Sequence, residues 1–155
     1  MRIWTMIFGL FAVAATATAS AQDLTWRKDI QPIMTAKCAG CHGANQPGFD
    51  EWNVKRVNDK SLAPRLDTYA FFMNHVVWPE TGAIMRRLDD GKGAAGGKPG
   101  NMYSFLGADD AERAKNLQTL KAWLGEGAWN LNRWQKRGDT PGISKEQLDK
   151  IKAKY

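Results

Sequence analysis

The stretch Cys38-Ala39-Gly40-Cys41-His42 holds both cysteines of a 155-residue chain and one of its two histidines. A disulfide between cysteines so close in sequence would cross-link little chain and add little stability. A thioredoxin-type dithiol needs a βαβ setting, and no strand pattern precedes Cys38. A structural zinc site needs four ligands, but beyond this stretch only His75 remains. The reading that uses all three side chains is C-x-x-C-H, the signature of covalent haem attachment. Its spacing lets both sulfurs reach the two vinyl groups as thioethers. The histidine that follows is then set beneath the iron as the proximal ligand.

The N-terminus agrees with this reading, because c-type haem is attached outside the cytoplasm. Arg2 opens a short apolar run, Ile3 to Val13, which leads to Ala19-Ser20-Ala21. This is the pattern of a cleaved secretory signal peptide over residues 1–21. The run is shorter than the roughly 20 residues that span a bilayer, and no later segment is long and apolar enough. The mature chain is therefore expected from Gln22, exported to the periplasm and without stable membrane insertion. Loss of Arg2 with the leader lowers the formal charge from +6 to +5. A basic exported chain suits a membrane surface or an acidic protein; nucleic acid is the least expected partner.

Turn and helix signals alternate along the rest, with no convincing strand alternation, so the predicted class is all-α. "DIQPIMTAKCAGCH" reads as the first helix, with Asp29 as N-cap, Pro32 in its first turn and Ile30, Ile33 and Met34 on one face. "GANQPGFDEWN" reads as a loop. "PRLDTYAFFMNHVVW" reads as a helix stopped by Pro79, and "TGAIMRRLDDG" as a shorter one capped by Thr81. A glycine-rich loop leads to Met102. Asp109 and Asp110 then suit the start of "AERAKNLQTLKAWLGEG", whose Leu117, Leu120 and Leu124 form a stripe beside Trp123. The six tryptophans beyond the leader are expected in the core or against the haem.

From roughly Leu24 to Ala128 these features resemble the class I c-type cytochromes. The resemblance implies a helix running into C-x-x-C-H, a loop methionine as second axial ligand, and a last helix packed on the first. It also implies a proline carbonyl that accepts the N–H of the proximal histidine; Pro47 is the first candidate and Pro64 the second. The implied architecture is a cytochrome c-like fold over residues 22–128. Residues 129–155 form a C-terminal extension, in which Ser144 and Gln147 suggest a capping box. Such a tail could wrap the core, dock a partner or fray.

The resemblance places one haem c on Cys38 and Cys41, with His42 and Met102 on the iron. Met102 lies in a loop a few residues before the last helix, where the family places its ligand. Met85 and His75 are the rivals; Met34 and Met73 fit helix stripes as core residues. The expected activity is single-electron transfer between redox partners, not enzyme catalysis. A haem subunit fixed in a periplasmic oxidoreductase and an open-site protein that binds a small ligand are the alternatives. Lys37, Arg86, Arg87, Lys92 and Lys98, if they ring the haem edge, would steer an acidic redox partner.

Overall fold

A computed structural model describes residues 23–92, 97–125, 127–130 and 144–155. The signal-peptide stretch, the centre of the glycine-rich loop and Trp134 lie outside the described residues. Among those described there is no strand; the chain is all-α.

The first helical run starts earlier than its sequence suggests. The Thr25 hydroxyl, not Asp29, caps it by accepting the Lys28 N–H, while the Asp29 carboxylate accepts the Thr25 N–H at 2.8 Å. A wide turn over Trp26–Ile30 leads into α1, Gln31–Lys37. Pro32 falls in the first turn of α1, where a missing N–H is tolerated. A one-turn helix, α2, Ala39–His42, carries the motif.

The following loop also holds a helix, α3, Phe49–Lys55. Gly48 begins it, and Asp50 and Glu51 complement its first turn. The next expected helix is shorter than the apolar spacing implies. Thr68 caps α4, Tyr69–Met73, and residues 64–67 run outside it. Their backbone is taken up by His42, as described below. Thr81 does not cap α5, Ala83–Leu88. Its hydroxyl donates to the Val77 carbonyl, and Gly82 occupies the cap position. Asp109 caps the longest helix, α6, Asp110–Leu124, by accepting the Glu112 N–H, and the Glu112 carboxylate accepts the Ala108 N–H.

The wide turn at Trp26 packs against α6. Trp26, Ile30, Phe72, Leu117, Leu120 and Trp123 are buried there. The Trp26 ring lies 5.3 Å from Phe72 and 5.9 Å from Trp123. Burying each such side chain is worth about 1.5–3 kcal/mol, so this first-to-last packing fixes the frame on which the motif stands. Trp78, by contrast, is exposed.

The C-terminal segment turns back onto the frame. Ser144 and Gln147 form the expected capping box at the start of α7, Lys145–Leu148. Beyond it the Lys154 carbonyl accepts both the Trp26 backbone N–H and the Trp123 indole N–H, each at 2.8 Å. Tyr69 donates its hydroxyl to the Ala153 carbonyl at 2.8 Å. The last residues thus tie α4, α6 and the first turn together. No helix of the described residues is long and apolar enough to cross a membrane.

Candidate functional site

The Cys38 carbonyl accepts the N–H groups of Cys41 at 3.1 Å and His42 at 2.8 Å. That helical turn puts the three side chains, at i, i+3 and i+4, on one face. The two cysteines are not joined in a disulfide; Cys41 is exposed and Cys38 half-buried. Burial, reinforced by the neighbouring Cys41, pushes the Cys38 thiol up to about 11. A redox dithiol needs the opposite, a thiolate stabilised near neutral pH.

His42 Nδ1 lies 2.7 Å from the Pro64 carbonyl oxygen. A carbonyl only accepts, so Nδ1 carries the proton and Nε2 keeps a free lone pair. Burial, with the charges of His75 and Arg87, lowers the His42 pKa below its usual value, against the opposing effect of the Pro64 bond. The expectation for Pro47 is corrected: its carbonyl accepts the Arg65 N–H at 2.9 Å, and the His42 carbonyl accepts the Leu66 N–H at 2.9 Å. Pro47 thus anchors the segment that brings Pro64 to the ring. It lies too soon after the motif to reach the ring itself.

His42 opens onto a cavity of about 520 Å³, within the range of roughly 300–1,000 Å³ usual for small-molecule sites. Cys38, Cys41, His42, Met102, Met34 and His75 all line it. Met85 and Met73 do not; Met85 is fully buried in the core. Met102 is presented by a pinned turn. Its N–H donates to the Arg87 carbonyl at 2.9 Å, and the Gly100 N–H donates to the Asp89 carbonyl at 2.8 Å. A Cβ at Gly100 would collide with the carbonyls of Arg86 and Arg87, so only glycine lets the turn lie this close to α5.

His75 belongs to another part of the wall. Its ring packs edge-on to Phe49 at 5.4 Å and to Trp52 at 5.8 Å. The Trp52 indole donates to the Leu62 carbonyl at 2.9 Å, just before Pro64. Through Trp52 and Leu62, His75 is tied to the segment that holds the His42 ring, and Met102 is tied to α5 through the Arg87 carbonyl.

The donor set fits a covalently attached haem: two thiols and an imidazole on one helical face, with the imidazole Nδ1 proton taken up by the Pro64 carbonyl. The comparisons agree. Residues 25–155 match the family model described as PccH Cytochrome c. The chain belongs to the PccH cytochrome c family. It is also similar to the solved monohaem cytochrome PccH from Geobacter sulfurreducens, at 45% identity, with a TM-score of 0.71 over 86% of this chain and 99% of that one. No curated protein matches the chain. Membership gives one covalent haem c and the general role of a haem electron carrier.

Of the basic residues expected at the haem edge, Lys37 and Arg87 line the cavity; Arg86 does not and donates to the Thr81 carbonyl at 2.8 Å, and Lys92 and Lys98 are exposed elsewhere. Lys37 pairs with Glu112 at 2.5 Å, and Arg87 donates to Asn101 at 3.2 Å. The wall also carries Arg56, Lys60, Ser61 and Glu80, none of which sequence reasoning singled out. Arg56 stacks on Trp52, 4.0 Å from its ring centre. The W-x-x-x-R spacing on α3 could have shown this pair, had the segment been read as a helix.

Proposed function

We propose that this cytochrome is an exported, periplasmic single-electron carrier, with haem attached through Cys38 and Cys41 and held axially by His42 and Met102. The observation that supports the axial pair is the pinned turn, which holds Met102 on the wall of the same cavity that His42 lines. Bound haem supplies one-electron Fe(III)/Fe(II) chemistry. Pro64 orients the His42 ring and keeps its Nε2 lone pair available. The backbone bonds of Gly100 and Met102 fix the turn that carries the thioether, so Met102 would hold the iron with little reorganisation on transfer. A thioether paired with imidazole favours the ferrous state and raises the potential. If His42 and Met102 both hold the iron, no position would be left for a substrate, which suits a carrier over an enzyme.

Optical spectra of the mature protein, oxidised and reduced, with and without CO, test the ligation. A weak red band in the oxidised form, lost on reduction, and no CO shift are expected. Met102→Ala should lose the band, lower the potential and bind CO. If that variant keeps its potential and resists CO, Met102 is not the ligand.

An acidic redox protein is the proposed partner, drawn by Lys37, Lys60 and Arg87 at the cavity. Exposed charges are screened over about 8 Å at physiological ionic strength. Electron transfer with such a partner should therefore slow as salt rises, and a salt-independent rate refutes the steering.

A further inference from the structure

The charges on the cavity wall include one carboxylate with its own scaffold. Glu80 lines the cavity with its side chain only 18% exposed. His75, itself buried, places Nδ1 2.8 Å from one carboxylate oxygen. The other oxygen lies 3.9 Å from Arg56 Nη1. The backbone is folded to put it there: the Glu80 N–H donates to the Asn74 carbonyl at 3.0 Å, and the Ile84 N–H to the His75 carbonyl at 3.0 Å. Phe49 and Trp52 fix the His75 ring from behind. A half-buried carboxylate fixed by an imidazole on the wall of a cofactor cavity is costly to maintain without a use.

We propose that Glu80, held at the cavity by His75, is a fixed negative charge that lowers the reduction potential of the haem. The inference rests on His42 and Met102 being the axial pair. The ferric site carries one more positive charge than the ferrous site, so a carboxylate on the wall favours the oxidised form. Burial would tend to neutralise Glu80, but the His75 bond and the charges of His75, Arg56 and Arg87 hold its pKa below the ordinary value. Arg56, 3.9 Å from the other carboxylate oxygen and stacked on the Trp52 ring, offsets part of this charge, but it stays in place when Glu80 is replaced, so the substitution reads the carboxylate alone. His75 acts as a positioning residue, because its ring sets where the charge sits.

The test is a spectroelectrochemical titration of purified holoprotein and its Glu80→Gln variant at fixed ionic strength. The amide keeps the size of the carboxyl and can still accept from His75, so only the charge is removed. The Fe(II)/Fe(III) ratio at a given ambient potential should rise at least tenfold, a 59 mV upward shift for one electron, with the spectrum unchanged. Glu80→Asp should stay nearer the wild type. A merely structural role predicts the opposite sign, since loosening the wall admits water and water favours the more charged ferric form. An unchanged or lower potential with the wild-type spectrum overturns the inference. A rise that comes with loss of the oxidised red band also overturns it, because Glu80 would then be supporting an iron-bound His75 and the ligation itself would be misread. If Glu80→Gln fails to retain haem, Glu80→Ala and Glu80→Asp decide: Ala above Asp supports the charge, and equal potentials refute it.

Discussion

Gly100→Ala should release Met102 without touching it. A Cβ there would run into the carbonyls of Arg86 and Arg87, and neither can retreat, since both belong to α5. The turn must lift instead. Lifting breaks the Gly100 bond to Asp89 at 2.8 Å and the Met102 bond to Arg87 at 2.9 Å. Each is worth about 0.5–1.5 kcal/mol, so the closed turn loses about 1–3 kcal/mol. Stiffening the unfolded chain by Gly→Ala returns roughly 0.4–1 kcal/mol of overall stability, but it does not favour the closed turn over the lifted one. At about 1.4 kcal/mol per decade, the ligand-off population should grow about 5- to 150-fold. CO binding to the reduced protein, followed by stopped flow, reads this population directly. Gly100→Ala should bind CO faster than wild type and more slowly than Met102→Ala, with a partly weakened red band. Wild-type CO resistance together with wild-type stability would refute the pinned-turn account.

Tyr69→Phe removes one hydroxyl and leaves the ring packing in place. It takes a donor from the Ala153 carbonyl, so a loss of about 1–2 kcal/mol is expected in guanidinium unfolding. Amide exchange at Lys152 and Ala153 should rise more than at Leu120; equal increases would mean that the tail does not dock as a unit. Acid should expose the Glu80 pair. The folded pKa of Glu80 lies below its unfolded value, so its contribution is complete above about pH 4.3 and drains as pH falls through the folded value. Glu80→Gln should therefore flatten the stability–pH profile below about pH 4.3, and a superimposable profile would refute the pairing.

What the sequence made legible is what depends on neighbours within a turn or two. The motif face rests on i, i+3 and i+4 spacing, the α6 stripe on the 3.6-residue period, and the Ser144 box on two side chains three positions apart. Cap assignments failed where two candidates stood close together. Thr25 and Asp29 are a reciprocal pair, and local pattern alone does not say which begins the helix. The helix expected from Pro64 onward was cut short for a reason no periodicity carries. Its first residues serve a histidine 22 positions earlier in the chain.

The same limit explains the choice between Pro47 and Pro64. A hydrogen bond to the His42 ring requires a carbonyl approaching from outside the helical turn that carries the ring. Pro47 follows that turn too closely, and its carbonyl instead takes the N–H of Arg65, next to Pro64. The two prolines are thus successive parts of one device: the first holds the returning segment, and the second meets the imidazole. Glu80 follows the same logic, since its partner His75 lies five positions before it across a fold in the backbone. Side chains that attach a cofactor can sit on one short helix and be read from spacing. Groups that orient a ligand or set its electrostatics must reach it from other directions, so their partners come from segments brought together only by the fold.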